Sequence, residues 1–245
     1  MGGFSIGFVV TVTIFAFIQA KSPNLNDVLF NGDYDIIDLT YPFDNNTVYW
    51  KNGRHFEFTK INENFQKDGT WYAANEFAAA EHGGTHIDAP YHFKVNGKHV
   101  GEIPLDRLIV PLIIADISSQ VNDDPHFVLY KRHLNFMLND NNGKPCVIIF
   151  KFGWRLSAEI AEWIVSSYKN VVGVGVDTSS VDPGSVNDFL VHKILSEAGL
   201  YNLENVKLDT RIPEYGCTAL VMPMKIAMGS GAPLRLIALC PKEEK

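Results

Sequence analysis

Short continuous apolar runs, separated by polar segments, dominate the hydrophobic pattern of this chain. A run of this kind bounded by turn residues is typical of a strand that is buried on both faces. The pattern predicts strands at residues 36–39, 108–117, 146–150, 171–176 and 234–239. We therefore expect a sheet at the centre of the fold.

Two other stretches carry a helical pattern. Ser157 is a candidate N-cap for a helix over residues 158–167, which has acidic residues in its early turns. A second helix is predicted over residues 185–198, ending at Gly199. Its apolar stripe has helical spacing and consists of Val191, Ile194, Leu195 and Ala198. The first helix lies between the third and fourth predicted strands, which suits one right-handed crossover in a parallel pair. Few helices and many strands indicate an α/β or α+β fold.

Composition indicates an ordinary globular protein. The chain has 245 residues, 46% of them apolar, and no repeat or long linker divides residues 21–245, so one domain is expected. Lys and Arg number 21 against 28 Asp and Glu, for a net charge of −7. Because no run of basic residues is present, nucleic acids and anionic lipid surfaces are not expected as partners.

The first twenty residues form a separate segment. Residues 1–20 carry no charged side chain, and their apolar stretch falls short of the about 20 residues that a transmembrane helix needs. We interpret residues 1–20 as a signal peptide, which predicts a product in the secreted or endomembrane lumen. No basic residue precedes the apolar stretch, so an uncleaved anchor is the alternative. Asn45-Asn46-Thr47 is a glycosylation sequon.

Three cysteines are too few for a disulfide framework in a chain of this length. Cys146 opens one predicted strand and Cys240 closes another, so buried thiols are expected. One disulfide plus a free thiol among Cys146, Cys217 and Cys240 is the alternative. The absence of a Cys-x-x-Cys motif from the sequence excludes a thiolate zinc site.

Histidine is concentrated in one segment. The chain has eight histidines, and His82, His86 and His92 lie within eleven residues. If residues 85–93 are extended, the period of two predicts one chemical face: His86, Asp88, Pro90 and His92. The other face is then apolar: Ile87, Ala89, Tyr91 and Phe93. Gly83-Gly84 provides a turn that would bring His82 back beside His86.

This density of imidazoles around a carboxylate indicates a divalent metal of borderline softness, such as zinc, manganese or iron. Structural histidines held by hydrogen bonds are the alternative, and the interposed Asp88 favours the metal. A zincin-type helix is excluded because Gly83-Gly84 and Pro90 would break it. The remaining isolated histidines are expected at the surface: His99, His126 and His133.

The string His82-Gly83-Gly84-Thr85-His86-Ile87-Asp88-Ala89-Pro90-Tyr91-His92 resembles the H-x-G-T-H-x-D-x-P-x-H signature of the metal-dependent cyclase family. That family includes the bacterial-type kynurenine formamidase (arylformamidase) and isatin hydrolase. The resemblance continues through most of residues 34–240, in segments such as Asp38-Leu39-Thr40, Phe152-Gly153-Trp154, the loop over residues 175–182 and the strand over residues 231–235. It implies an α/β chain with a swivelling β/β/α fold, a single domain with a mixed sheet core. It also implies a homo-oligomer, a dimer or a tetramer.

The resemblance also implies roles for particular residues. The family's metal ligands correspond to a set of five residues here: His82, His86, Asp88, His192 and Glu204. His92 corresponds to the catalytic acid/base. Two divalent ions are implied, zinc being favoured and manganese the alternative. Trp50 corresponds to a residue that packs on an aromatic substrate, although an ordinary core or surface tryptophan is as good an interpretation.

The chemistry of these residues agrees with the implied roles. Two metals sharing Asp88 and Glu204 would bridge a water and lower its pKa toward neutrality, making hydroxide available for attack on an amide. His92 would give a proton to the departing nitrogen. Asp177 and Asp182 would either orient ligand histidines or make turn hydrogen bonds.

The implied function is a metal-dependent amidohydrolase acting on a small aromatic amide, with N-formylkynurenine hydrolysed to kynurenine and formate as the leading expectation. The first alternative is an isatin hydrolase-like enzyme that opens a cyclic amide. The second is a secreted metal-binding protein without turnover. Kynurenine chemistry is generally expected inside cells, so the predicted export leaves open a different aryl amide or ring compound as substrate.

Overall fold

The computed structural model describes residues 25–51, 53–121, 127–131, 143–153, 155–183 and 187–242. The predicted signal peptide, Trp154, His126 and His133 therefore lie outside the described residues. Within these ranges, none of the helices has the length and apolar character needed to cross a membrane.

Strands outnumber helices, as the hydrophobic pattern predicts. The helices of the described residues are α1 Leu25–Phe30, α2 Ala158–Ser167 and α3 Leu190–Glu197. Short 3-10 turns lie at Pro90–His92, Val100–Glu102, Leu105–Arg107 and Ser118–Gln120. The strands are β1 Tyr34–Asp38, β2 Glu57–Lys60, β3 Glu63–Phe65, β4 Trp71–Ala73, β5 Glu76–Ala78, β6 His86–Asp88, β7 Ile109–Asp116, β8 Val128–Leu129, β9 Cys146–Lys151, β10 Arg155–Leu156, β11 Val171–Val176, β12 Tyr201–Glu204, β13 Cys217–Pro223 and β14 Gly231–Pro241.

The main sheet has eight strands in the order β1-β14-β13-β7-β9-β11-β12-β6. Strands β7, β9, β11 and β12 run parallel to one another, and the other pairs of the sheet are antiparallel. Because β6 also pairs with β14, the mixed sheet closes into a barrel-like ring. The short strand β6 completes that ring and carries His86 and Asp88.

Two apolar layers cover the faces of the sheet. Val147 and Ile149 of β9 belong to the core inside the ring, whereas Ile148 and Phe150 belong to the layer beneath α2 and α3. A strand buried on both faces needs apolar side chains at every position. This explains the continuous apolar run from which β9 was predicted.

Helix α2 matches the prediction, and α3 matches it in part. The Ser157 side chain accepts a hydrogen bond from the backbone N–H of Ile160, as expected of an N-cap. Helix α3 begins at Leu190, later than the predicted start at residue 185, and Phe189 before it has a left-handed backbone with φ 50°. Asp182 accepts the N–H groups of Val191 and His192, so the first turn is stabilised at that point.

The expectation of buried thiols holds for Cys146 and is wrong for Cys240, and the alternative of one disulfide plus a free thiol is correct. Cys217 and Cys240 form a disulfide, and Cys146 is a buried free thiol. The antiparallel register of β13 and β14 pairs Thr218 with Leu239 and so places the two cysteines opposite each other. Their Cα atoms are 4.2 Å apart, close enough for a disulfide, which the apolar pattern around each cysteine does not reveal.

A β-ribbon that the sequence analysis did not assign projects between β1 and β6. β2 pairs with β5 and β3 pairs with β4, both antiparallel. Nearly all residues of these four strands are exposed. We refer to residues 57–78 as the arm.

Candidate metal centre and active site

A cavity of about 500 Å³ opens beside β6, β12 and α3. Its floor is polar and holds five of the residues singled out from the sequence: His82, His86, Asp88, His192 and Glu204. His92 and Trp50 also line the cavity. The structure therefore brings together all seven site residues predicted from the sequence.

Strand pairing places the carboxylates beside the histidines of the signature segment. Antiparallel pairing of β6 with β12 sets His86 opposite Glu204. Side chains of directly opposite residues project from the same face of a sheet, so these two meet at the floor. Asp88, two residues after His86, projects from that same face.

The predicted extended segment over residues 85–93 ends at Asp88. Pro90 opens a 3-10 turn over Pro90–His92, a position that suits its fixed φ. His92 therefore reaches the cavity from the turn and not from a strand. Phe93, expected on the apolar side, instead packs against His192 in the cavity, with ring centroids 4.8 Å apart.

The turn at Gly83-Gly84 brings His82 back to His86, as expected. The two ring centroids lie 5.5 Å apart, and Gly84 has the left-handed φ of 55° that favours glycine. Gly231 of β14 lies against the ring of His82. A Cβ atom at Gly231 would come within 2.4 Å of that ring, so only glycine leaves room for His82 at this position.

The five candidate ligands are close together around Asp88. His82 Nδ1 lies 2.7 Å from Asp88 Oδ1, and His86 Nε2 lies 3.3 Å from the same oxygen. His192 Nε2 lies 3.2 Å from Asp88 Oδ2 and 3.2 Å from Glu204 Oε1. Among the described residues, two compact donor groups share Asp88: His82 with Asp88 and His92, and His86 with Asp88 and Glu204.

Hydrogen bonds behind the cluster orient two of the imidazoles. His86 Nδ1 lies 2.9 Å from the carbonyl oxygen of Gly84, and His192 Nδ1 lies 2.5 Å from Asp182 Oδ2. Donation of Nδ1–H to these oxygens leaves each Nε2 free toward the centre, the arrangement usual for metal-binding histidines. Asp182 thus orients His192, one of the two roles considered for it.

Asp177 does not orient a histidine. Its carboxylate accepts hydrogen bonds from the backbone N–H groups of Phe152 and Gly153, which lie at the end of the neighbouring strand β9 and not in the turn that follows Asp177. His99 is also misplaced by the sequence analysis. It is half-buried, with its ring 3.8 Å from the ring of Tyr91, and is not a free surface histidine.

Burial and charge shift the pKa values of the cluster strongly. Burial raises the pKa of Asp88, but hydrogen bonds from His192, His82 and His86 outweigh it and hold that pKa well below its usual range. Burial lowers the pKa of His86, but the hydrogen bond with Asp88 and the charges of Asp88 and Glu204 outweigh it and raise this pKa to about 9. The same competition raises the pKa of His192 well above its usual value.

His92 behaves in the opposite way. Burial lowers its pKa, and the neighbouring imidazoles lower it further against the attraction of Asp88, to about 4. His92 is therefore neutral at physiological pH and able to accept a proton. The ring of His92 stacks on the ring of His82 beside the ligand cluster.

This donor set fits a divalent cation of borderline softness. Three imidazoles and two carboxylates, with all but His82 buried, converge so that each has a nitrogen or oxygen within 3.3 Å of another member of the set. Imidazole nitrogens and carboxylate oxygens are common ligands of zinc, manganese and iron. The positive charge of a cation would balance the carboxylate of Asp88, whose pKa is held well below its usual range.

The upper wall of the cavity is aromatic. Trp50 packs edge-to-face on Phe189, with centroids 6.1 Å apart, and Phe93 lies 5.4 Å from Phe189. Lys51 lies at the rim, with Nζ 5.4 Å from the ring of Trp50. The sequence analysis missed Phe93 and Phe189 as site residues, because their apolar character is equally typical of a core.

Comparisons with known proteins agree with this geometry. The family model Cyclase matches residues 37–183. Isatin hydrolase of Roseibium aggregatum is 26% identical over 263 aligned residues, covering 91% of this chain and 98% of that protein. Kynurenine formamidase of Bacillus cytotoxicus is 29% identical over 209 residues, covering 82% of this chain and 95% of the relative.

Solved structures show the same fold. Isatin hydrolase A from Ralstonia solanacearum aligns with a TM-score of 0.76 at 24% identity, covering 94% of this chain and all of that chain. A structure titled as a potential metal-dependent hydrolase with cyclase activity aligns with a TM-score of 0.64 at 21% identity, covering 86% and 100%. The expected cyclase-like fold, a single α/β domain with a mixed sheet core, is confirmed.

Proposed function

Because the chain belongs to the Cyclase family, we propose that it is a metal-dependent amide hydrolase whose activity is that of an arylformamidase. The observation that carries the proposal is the convergence of three imidazoles and two carboxylates on the floor of a cavity with an aromatic wall. The relatives named kynurenine formamidase and isatin hydrolase support the reaction class.

We assign five residues as metal ligands: His82, His86, Asp88, His192 and Glu204. Asp88 belongs to both donor groups and would help to hold each of two ions. Zinc is favoured and manganese is the alternative. When bound, the ions would lower the pKa of a water molecule and polarise the carbonyl of the amide.

His92 is the candidate acid/base. Its neutral ring accepts a proton from the attacking water as the bond between the water oxygen and the carbonyl carbon forms. It then returns that proton to the nitrogen as the carbon–nitrogen bond breaks, so that a carboxylic acid and an amine leave. The lowered pKa of His92 keeps its ring unprotonated at neutral pH, so the ring is free to take that proton.

The aromatic wall favours an aryl substrate. Trp50, Phe93 and Phe189 offer ring faces and edges above the polar floor. An aromatic ring stacked there would gain about 0.5–1.5 kcal/mol beyond its area burial. N-formylkynurenine carries such a ring next to its formyl group, and its hydrolysis gives kynurenine and formate.

An isatin hydrolase-like enzyme is the second candidate. The alignment with isatin hydrolase covers 91% of this chain, more than the 82% covered by kynurenine formamidase. The same ligands and His92 would then open a cyclic aryl amide, in which the nitrogen stays attached to the ring of the product. A metal-binding protein without turnover remains the third candidate.

The test measures metal content, formate release from N-formylkynurenine and ring opening of isatin on the same purified protein. We expect about two metal ions per chain and release of formate that stops after treatment with a chelator. Ring opening of isatin without formate release would select the second candidate. Bound metal with neither reaction would select the third, and no binding of added zinc or manganese would contradict the metal site itself.

We also propose that the mature protein starts after residue 20 and is exported. The disulfide between Cys217 and Cys240 supports an oxidising compartment. Asn45 of the sequon is exposed and accessible for glycosylation. N-terminal sequencing of the product from a secreting host is expected to start at Lys21, and a start at Met1 would favour the uncleaved anchor.

A further inference from the structure

Lys51 is the only lysine or arginine among the described residues that line the cavity. It lies at the rim, beyond the aromatic wall, while the carboxylates of Asp88 and Glu204 lie on the floor. Both of those carboxylates are within 3.3 Å of candidate ligand imidazoles. The cavity therefore has a cationic group at its mouth that the metal centre does not use.

The ammonium group of Lys51 is not neutralised by a carboxylate. Its Nζ donates a hydrogen bond to Asn187 Oδ1 at 3.2 Å, and that amide oxygen carries no charge. In the described part of the chain Lys51 forms no ion pair, although acidic residues outnumber basic ones in the protein. An ammonium group has three N–H donors, so two remain for solvent or a ligand. The charge of Lys51 is thus available to an anion that enters the cavity.

Two contacts hold the ammonium group beside the aromatic wall. Nζ lies 5.4 Å from the centroid of the Trp50 ring, a distance at which a cation is attracted to an aromatic face. Trp50 packs on Phe189, and Lys51 is hydrogen-bonded to Asn187. The two loops that carry these residues therefore meet at the mouth of the cavity, with the aromatic rings and the cation side by side.

The backbone of both loops is strained. Lys51 has a φ of 29° and Phe189 a φ of 50°, in the left-handed region that favours glycine. Non-glycine residues held in this region cost conformational free energy and cluster where proteins clamp ligands. The strain in these two loops is consistent with a role in binding a ligand.

The order of groups along the cavity determines which part of a ligand would reach Lys51. A molecule whose amide carbonyl meets the floor would place its aromatic ring against Trp50 and Phe189. A side chain of that ring would extend to the rim, where Lys51 lies. The volume of about 500 Å³ is sufficient for a small molecule built in this way.

We propose that Lys51 is a specificity-determining residue that binds a carboxylate of the substrate. The preferred substrates are then aryl amides that carry a carboxylate on a side chain of the ring. This inference rests on the proposed function and narrows its substrate class. N-formylkynurenine has such a carboxylate, whereas isatin has no ionised group, so Lys51 favours the first candidate over the second.

The test uses two substrates that differ only in charge: a formanilide with a propanoate side chain at the meta position, and the same compound with a propanamide side chain. Formate release gives KM for each, and we expect the lower KM for the propanoate. Lys51→Met is expected to raise that KM about 3- to 20-fold, while KM for the propanamide changes less than about 2-fold. Lys51→Arg keeps the charge and is expected to retain the preference, and Lys51→Glu is expected to reverse it.

Lys60→Met is the matched control. It removes the same charge from the arm, where Lys60 pairs with Glu76 outside the cavity. Both KM values are expected to stay as in the wild type. An equal rise in KM for the propanoate in Lys60→Met and Lys51→Met would assign the effect to the overall charge of the protein and contradict the role of Lys51.

A binding measurement separates this inference from the proposed function. NMR titration of the metal-free protein with phenylpropanoate and with phenylpropanamide measures affinity without hydrolysis. We expect the wild type to bind phenylpropanoate more tightly and Lys51→Met to lose that preference. Failure to release formate from either substrate would overturn the arylformamidase activity, while the titration still decides the role of Lys51. Equal affinities in the wild type, or a preference that survives Lys51→Met, would overturn the inference even if both substrates are hydrolysed.

Discussion

The imidazole ring of His92 stacks on that of His82, with ring centroids 4.0 Å apart and planes inclined by 26°. His82 belongs to the candidate ligand set, and its partner in the stack reaches the same cavity from the 3-10 turn. The stack keeps the proton-accepting ring beside the ligands. It also places His92 close enough to Asp88 to be considered as a ligand itself.

Replacement of His92 distinguishes a role as acid/base from a role as metal ligand. If His92 is the acid/base, His92→Ala lowers kcat roughly 10²–10⁴-fold and leaves the metal content unchanged. Steady-state kinetics and elemental analysis of the same preparation check this. Loss of about one metal ion per chain in the variant would assign His92 to the ligand set instead.

Replacement of Asp182 tests the orientation of His192. Asp182→Asn can keep the oxygen that accepts the backbone N–H of Val191 but replaces the oxygen that accepts both the backbone N–H and Nδ1–H of His192. We expect zinc affinity to fall about 10- to 100-fold. Isothermal titration measures the affinity. Asp177→Asn, at the turn beside Phe152 and Gly153, is the matched control and is expected to bind zinc as the wild type does.

The stability of the metal-free protein is expected to fall with rising pH. The pKa of His86 in the folded protein, about 9, lies above its unfolded value of about 6.5. The protonated ring therefore contributes stability that is fully present below about pH 6.5 and is lost as the pH rises through about 9. His192 has a shift in the same direction.

Thermal unfolding with and without a chelator checks this pH dependence. Metal displaces these protons, so the zinc affinity is expected to rise over the same interval in which the metal-free protein loses stability. A melting temperature of the metal-free protein that rises between about pH 6.5 and 9 would contradict the assigned charges.

Trp50 is expected to contribute to substrate binding more than to the chemical step. Loss of one aromatic contact costs about 0.5–1.5 kcal/mol, so Trp50→Ala is expected to raise KM about 2- to 10-fold with kcat nearly unchanged. Steady-state kinetics on an aryl formamide provide the values. Phe30→Ala, at an exposed aromatic residue outside the cavity, serves as control. An unchanged KM in Trp50→Ala would return this residue to a purely structural role.

Thiol titration tests the cysteine assignment. Burial raises the pKa of the Cys146 thiol to about 11, so the folded protein is expected to react slowly with a thiol reagent at neutral pH. Denaturation without reductant should expose one reactive thiol, and reduction should raise the number to three. Three reactive thiols before reduction would contradict the disulfide.

Local patterns in the sequence determined the elements that depend on neighbouring residues. The continuous apolar runs predicted β9 and β11 because both faces of these strands are buried. Ser157 and Gly199 predicted where α2 begins and where the second helix ends. The signature from His82 to His92 pointed to the metal site, because most of the candidate ligands lie within that single segment.

Only the tertiary structure decided the contacts that depend on closure of the sheet. Pairing of β6 with β14 brings Ser230 to Glu81, 149 residues away in sequence, and the register of β13 on β14 joins Cys217 to Cys240. Phe189 lines the cavity only in the folded chain. Its apolar character in the sequence is equally typical of a site residue and of a core residue. Long-range strand register is set by the packing of the whole ring and leaves no local period in the sequence.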